Sequence, residues 1–577
     1  MSAWFERDPE RLEQELKALE DRGVAYEVDQ AARIHGRLRI TLKYPYKDRQ
    51  IELTATYPDL FPYFKPEVDA PGLRLARHQS LLGTTLCLLG RRTHNWHVTN
   101  TLAGILSDNL GHLVDFEETG DIEAIRRVEE PQGEPVSDYY NSAATEGSYL
   151  LFETAWRVDP AVERGVLNVK CRWVSSGDPA KPDVFQGYIE NVSDETGKAL
   201  CSWSGPVLPG KFQSARIRWV RANKRHFVGP SELLEATGDH RSWLLSPLQK
   251  STGMKQVCCA VLVEEEITQG QYGDGWLALQ LNQPKARKGF RPPVTPSIIQ
   301  TFRAGPDDLF SRMPGSSELR TKTVAVFGLG AIGAPTALEL ARHGVGRLKL
   351  IDHDIVDPAT VRRWPIGLPA FGCSKPEVLA KRIMSEYPWT DVEVNEMKVG
   401  GLPDPDQPPG DQRDHIWNIL KDCDLVLDCT AELGVNHFLS DMAQASAKPY
   451  VLANATPGAA GGMVAVFTEG EPCWICTREG FYGATPSLAL PPEDEAGTSQ
   501  PPGCAEPTFT GRSCDLLEIS LQAVRSCLSV LVGGNTFNRS NEQVLTLGLV
   551  SDTGDPVPPA WKAQAVIRRK ECSCISR

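Results

Sequence analysis

Three glycines, a cationic pair and several cysteines carry the chemistry open to this sequence. Gly328, Gly330 and Gly333 stand at G-x-G-x-x-G spacing, directly after the apolar run TVAVF and before a helical pattern. Glycines there permit a tight turn and let the backbone approach a phosphate. The helix that follows presents free N–H groups and the positive end of its dipole to the anion. Asp352 falls about twenty residues later, at the end of the next apolar run, where a carboxylate can bind ribose hydroxyls. The fingerprint alone does not choose between a nicotinamide cofactor and ATP. The next residues do: DHDIVDPATVRRWPIGLPAFGCSKPEVLAKRI places acids before an arginine pair and then Lys375 within Gly372-x-x-Lys375. Hydride transfer needs no such cations, whereas a polyphosphate must be neutralised as pyrophosphate leaves.

The cysteines suggest two further chemistries. Cys473-x-x-Cys476 and Cys572-x-Cys574 are two close pairs far apart in sequence. Such pairs can build a tetrahedral structural zinc site. Cys504 follows a Gly/Pro-rich run that reads as a loop (483–503), just before a helix expected near Asp515. A thiol near a helix N-terminus holds more thiolate, and Cys514 is its local rival. Cys87 lies in LLGTTLCLLGRRTHNW. Its apolar neighbours fit a buried core thiol as well as a nucleophile, and both readings stay open on those neighbours alone.

The elements that position these groups follow from periodicity. The chain has 577 residues, enough for three or four domains. Leu12, Leu16 and Leu19 mark a helix within 6–22, and RLRITLKY and QIELTATY read as strands. YPDLFPYFKP breaks regular structure, and another helix is expected from Thr101. Residues 1–125 therefore form a small α+β domain. The acidic, proline-bearing stretch 126–144 reads as a linker. Residues 145–290 hold short apolar runs and form a β-rich module without a chemical motif. From 291 to 577, strands alternate with helices (TVAVF, CDLVLDCT and KPYVLANAT), which implies a parallel α/β sheet. The fold class is thus multidomain α+β and α/β. A net charge of -13 disfavours nonspecific nucleic-acid binding. No apolar run reaches the roughly 18 residues of a membrane helix. The charged start MSAWFERDPERLEQELKALE lacks a signal-peptide core. Fifteen cysteines then read as reduced thiols of a cytoplasmic protein.

The ordered set Gly328–Gly333, Asp352 and Asp354, Arg363, Gly372 to Lys375, and Asp428-Cys429-Thr430 resembles the ThiF/MoeB and ubiquitin-activating superfamily, whose members adenylate the C-terminal carboxylate of a small protein. The resemblance implies a Rossmann-like adenylation domain using ATP and Mg. Gly328, Gly330, Gly333, Asp352, Asp354, Arg363, Lys375 and Asp428 would bind the nucleotide. Asp352 would hold the ribose, and Arg363 and Lys375 the phosphates. Cys473, Cys476, Cys572 and Cys574 would hold zinc, and Cys504, in a catalytic-cysteine loop spanning 478–515, would take the acyl group as a thioester. Thr360 stands where the family has Asn. Ala431 stands where it has a magnesium-binding acid, with Asp428 and Glu432 as neighbouring substitutes.

Residues 1–125 resemble a ubiquitin-conjugating (UBC-like) domain through the proline-rich loop, His78, Leu86-Cys87-Leu88, Trp96 and the helix from Thr101. His78-Gln79-Ser80 occupies the family's H-P-N position, so the oxyanion Asn is absent and Ser80, His94 or Asn95 is left to replace it. Cys87 and His78 would be catalytic. The fused arrangement resembles the CD-NTase-associated conjugating enzymes of antiphage CBASS operons. It implies conjugation of a CD-NTase or ubiquitin-like C-terminus to target amines by a homodimer. The alternatives are an adenylyltransferase for a ubiquitin-like or sulfur-carrier protein, a nucleotide-binding scaffold without conjugation, and, resting on the glycines alone, a nicotinamide dehydrogenase.

Overall fold

The computed structural model describes the chain except residues 1, 76, 81–82, 90–94, 120–132, 134, 142–143, 176, 178–182, 223–228, 250–254, 269, 285–291, 314, 316, 403–411, 500–507, 534–541, 552, 571, 573 and 575–577. The chain forms two compact units, one of residues 1–205 with 210–308, the other of 309–577 with 206–209.

After a short helical turn at Trp4–Arg7, the first unit has α1 (Pro9–Glu20), started by Pro9 and by the Asp8 carboxylate, which accepts the Arg11 N–H at 3.0 Å. An antiparallel meander follows: β1 (Ala25–Val28), β2 (Arg39–Tyr46), β3 (Arg49–Thr56) and β4 (Glu67–Asp69). Alternation in β3 turns Ile51, Leu53 and Ala55 into the core. The helix expected from Thr101 begins there, with the Thr101 hydroxyl accepting the Gly104 N–H. Buried Glu15 ties the helices together. Its carboxylate takes the Arg11 guanidinium at 2.7 Å and accepts from Tyr57 Oη and Leu102 N, both at 3.0 Å.

The β-rich middle is a closed barrel. Its strands are β5 (Tyr149–Phe152), β6 (Arg164–Val174), β7 (Val184–Asp194), β8 (Ala199–Ser202), β9 (Gln213–Arg221), β10 (Lys255–Thr268), β11 (Gln271–Gln283) and β12 (Thr295–Arg303). They run in the order β5-β12-β11-β10-β9-β6-β7-β8, and β5 also pairs with β7. That pairing closes seven strands into a ring, with β8 an extra strand on β7. One face of the strands buries Trp219 against Trp276, ring centroids 5.5 Å apart, with Phe152, Phe185 and Ile189. The alternate residues, Val220, Val261, Leu277 and Leu279, pack under helices on the other face.

Two boundaries differ from the sequence reading. Within the expected linker 126–144, Val136–Asn141 is a helix, α2, with Val136 and Tyr140 buried against the barrel. Ser137 is buried with them, its N–H and hydroxyl donating to the Glu265 carboxylate, so a polar residue as well as apolar ones ties this acidic stretch down. The barrel also runs past residue 290: TPSIIQTFR forms β12, held by β11 on one side and β5 on the other.

The second unit is doubly wound. Its main sheet contains β13 (Thr323–Phe327), β14 (Arg347–Asp352), β15 (Asp391–Glu396), β16 (Leu425–Asp428), β17 (Tyr450–Ala455) and β18 (Gly461–Phe467). A two-stranded ladder follows, β19 (Thr498–Ser499) with β20 (Thr508–Phe509), and then β21 (Val544–Val550) and β22 (Pro556–Gln564) complete the main sheet. The order is β15-β14-β13-β16-β17-β18-β21-β22, parallel through β17 and antiparallel beyond. The helices are α3 (Gly333–Arg342), α4 (Lys375–Glu386), α5 (Gln412–Lys421), α6 (Leu433–Ala445), α7 (Trp474–Tyr482) and α8 (Ser513–Val532). Separate apolar clusters cover the two sheet faces, one with α3, α4 and α8, the other with α5, α6 and α7. Among the described residues, no helix is long and apolar enough to cross a membrane.

Candidate active site

The order reversal between β13 and β16 opens a crevice at the carboxyl ends of the strands, where such folds bind ligands. A cavity of about 910 Å³ lies there. Its phosphate end is the turn after β13. Gly328 has φ +81°, and a Cβ on it would stand 2.7 Å from Thr430 N. A Cβ on Gly333, which opens α3, would stand 1.9 Å from the Gly328 carbonyl oxygen. Gly330 has nothing within 4 Å of its Cβ position and lines the cavity. Two glycines therefore serve packing, and the middle one leaves the approach to the turn clear.

Asp352, at the end of β14, fastens this turn. One carboxylate oxygen accepts the Leu329 N–H at 2.6 Å and the other accepts Asp354 N at 2.8 Å. Trp364 adds a bond from its indole N–H to the Leu329 carbonyl, 2.8 Å. Lys375, at the start of α4, is buried to its tip, and its Nζ donates to Asp354 at 2.8 Å inside the cavity wall. Burial would raise the Asp354 pKa, but the Lys375 ammonium outweighs it and holds the carboxyl below its ordinary value.

Two expected nucleotide ligands stand elsewhere. Asp428 is fully buried. One of its oxygens accepts from Thr430 N and Oγ1, and the other from Asn436 Nδ2 and Tyr450 Oη, at 2.7–2.9 Å. Its lone pairs are spent on holding the end of β16, and it does not line the cavity. Arg363 donates to the Phe509 carbonyl at 2.8 Å, at the foot of the β19–β20 ladder, and is also absent from the cavity wall. Ala431 takes φ +54°, and Glu432 beside it caps α6 by accepting from Gly434 and Val435 N–H. Glu432 does line the cavity, together with Asp352 and Asp354. Mg²⁺ uses one or two carboxylates with substrate phosphates. These three fit that demand, and saturated Asp428 does not.

The four paired cysteines meet. Their sulfurs all lie within 4.8 Å of one another, buried between α7 and the C-terminal segment. Cys473–Cys572, Cys476–Cys574 and Cys473–Cys476 are 3.4, 3.7 and 3.9 Å apart. Zn–S bonds of about 2.3 Å set tetrahedral sulfurs roughly 3.8 Å apart. Arg569 N donates to Cys476 Sγ at 3.4 Å, the kind of backbone support a thiolate accepts. The set fits a closed, structural zinc site.

Cys87 is exposed, and no disulfide links the described cysteines. Its backbone N–H donates to the His78 carbonyl at 2.7 Å, and His78 takes φ +60°, rare for a residue with a Cβ. Gln79 turns inward. Its carboxamide accepts from Leu75 N and donates to the Ala70 and Thr84 carbonyls, at 2.9–3.2 Å. It pins the hairpin that carries Cys87. Trp96 bonds the Pro62 carbonyl at 2.8 Å. His94 and Cys504 lie outside the described residues. The feet of the Cys504 segment are joined, Thr498 opposite Phe509. Cys514 is exposed in the first turn of α8.

Residues 308–543 match the model of the ThiF family. The protein y4qC of Sinorhizobium fredii is 32% identical over 95% of this chain and 94% of its own. Another from the same organism, y4oA, is 30% identical over 99% and 97%. The chain belongs to the family of these two proteins, and its second unit carries a ThiF domain. MoeZ of Mycobacterium tuberculosis, a probable adenylyltransferase/sulfurtransferase, is 32% identical over 24% of this chain and 32% of its own. Among solved structures, that of E. coli MccB covers 47% of this chain and 72% of its own, at 13% identity and a TM-score of 0.35.

The ThiF domain also brings Met397, Lys398, Gln412, Arg413 and Phe438 to the cavity, none of which the sequence reading singled out. A signal for the first two existed. EVNEMKVG ends the strand next to β14, and strand ends at a switch point face the ligand.

Proposed function

We propose that the ThiF domain adenylates the C-terminal carboxylate of a small protein and that the chain then conjugates that protein to an amine. The observation that carries the reading is that buried Lys375 and the glycine turn line one cavity, which sets a cation beside the place where a polyphosphate would lie. A carboxylate oxygen attacks the α-phosphorus, the bond to pyrophosphate breaks, and an acyl adenylate forms. The turn and the N-terminus of α3 hold phosphate oxygens, and Lys375 offsets the charge of the leaving group. Mg²⁺, held by Asp352, Asp354 or Glu432 with the phosphates, would neutralise part of that charge.

Cys504 thiolate then attacks the acyl carbon and AMP departs. Cys87 thiolate displaces Cys504 in a second thioester exchange. A target amine attacks, leaves an amide, and passes its proton as Cys87 departs as thiol. Each stage crosses its own barrier at a separate thiol. A UBC-like reading of residues 1–125 is supported by the exposed Cys87 hairpin, the Trp96 anchor and the flanking helices. Zinc in the cysteine quartet would be structural. The fused order of domains supports a CD-NTase or ubiquitin-like protein as the conjugated partner, in antiphage signalling, with the enzyme acting as a dimer.

The test incubates the protein with ATP, Mg²⁺ and the product of a neighbouring gene, and compares reducing with nonreducing gels. A reducible adduct lost in Cys504→Ala, and trapped short of transfer in Cys87→Ala, supports the pathway. ATP binding without any adduct leaves a scaffold. An adduct on Cys504 with none on Cys87 leaves a simple adenylyltransferase, and one that survives both substitutions overturns the thiol assignments.

A further inference from the structure

The cavity has two arms. One runs from the glycine turn toward the end of β16 and the start of α6. The other passes Asp352 to the residues after β15, the outermost strand. A nucleotide with its phosphates on the turn and its ribose at Asp352 sends its base along the second arm. Ile351, Met397 and Val399 give that arm apolar walls, and Lys398 to Gly400 form its far rim.

The rim is already occupied by a side chain. Gln412, the first residue of α5, accepts the Gly400 N–H on its Oε1 at 2.8 Å and donates from its Nε2 to the Lys398 carbonyl at 2.8 Å. Gly401 N also donates to that carbonyl, at 3.1 Å. A carboxamide offers an acceptor and a donor side by side. The N1 and N6 edge of adenine offers the same pair. A backbone N–H has one bond to give, so a base reading Gly400 must displace Gln412. The helix behind it is anchored independently: Ile416, Ile419 and Leu420 are buried, and Lys349 Nζ donates to the Ile419 carbonyl. The side chain can therefore leave without unseating α5.

We propose that the Gln412 carboxamide is a built-in occupant of the base edge, closing the rim when the cavity holds no nucleotide and yielding it to the adenine of ATP. This rests on the reading that the cavity takes ATP. Its effect is a reduced apparent affinity, because only the fraction of molecules with the rim open is competent to bind.

The experiment titrates wild type, Gln412→Ala and the isosteric Gln412→Met with ATP and with inorganic triphosphate, each with Mg²⁺, and follows hydrogen exchange of the 397–402 peptide. ATP should bind both variants about tenfold tighter than wild type, the gain expected when about a tenth of the molecules are open. Triphosphate, which has no base, should bind all three alike. Exchange at Gly400 should be slow in wild type, fast in the variants, and slowed again in them by ATP but not by triphosphate. ATP affinity that is unchanged or weaker in both variants overturns the proposal and leaves the ATP reading intact. A wild type that binds neither ATP nor triphosphate overturns that reading as well.

Discussion

Cys87 and the Cys473, Cys476, Cys572 and Cys574 quartet set the same side chain in opposite surroundings. Cys87 stands exposed on a hairpin held by backbone bonds and by the buried carboxamide of Gln79. The quartet is buried, with every sulfur turned toward the others. An open thiol is available for acyl exchange, and a closed tetrahedral set leaves no vacant position for chemistry. Spacing suggested the quartet and a resemblance suggested Cys87, and exposure separates their uses.

The contrast can be broken most forcefully at the quartet. Cys572→Ser should remove the metal and lower the unfolding free energy of the ThiF domain on the order of 4 kcal/mol, the scale reached when a metal site is lost. Zinc analysis and thermal unfolding check this, and a zinc-free wild type with an unchanged variant midpoint would sink it. Gln79→Ala should come next. It leaves the Leu75 N–H without its partner, while the Ala70 and Thr84 carbonyls keep the Leu73 and Ala70 N–H groups, and costs about 1–3 kcal/mol. It should also alter the rate at which iodoacetamide alkylates Cys87, and an unchanged rate would show that Gln79 does not position the thiol. The smallest change belongs to Cys87→Ala itself, within about 0.5 kcal/mol of wild type in stability, as expected of an exposed site. Peptide mapping after brief alkylation sharpens the comparison further. Cys87, Cys373 and Cys514 should react, and labelling of the quartet at the same rate would contradict its burial.

Local signals told most where the structure depends on local chemistry. The strands TVAVF, CDLVLDCT and KPYVLANAT, the glycine turn and the helix from Thr101 lie where their patterns put them, because apolar runs, turn glycines and capping hydroxyls act over a few residues. The barrel was legible only as β-rich, since its closure rests on pairing β5 with two strands distant in sequence. Asp428 shows a different limit. Its residue type suits a ligand, but four bonds from its own fold consume it. Arg363 gives one guanidinium N–H to a carbonyl that sequence spacing does not reveal. Gln412 carries no signal at all, because its significance lies in two backbone groups on another segment.

The seam of the barrel also sets an order of events during synthesis. β5 leaves the ribosome early and waits with both edges unpaired. β7 can cover one of them, but the ring stays open until β12 emerges. Closing so long a loop adds little to the equilibrium cost yet slows folding. Arg303, the last residue of β12, comes just before Leu309, where the main body of the ThiF unit begins. The nascent chain can therefore seal its exposed strand edges before the nucleotide-binding unit starts to form. A truncation ending inside β12 would release a chain with open strand edges, and such edges template aggregation.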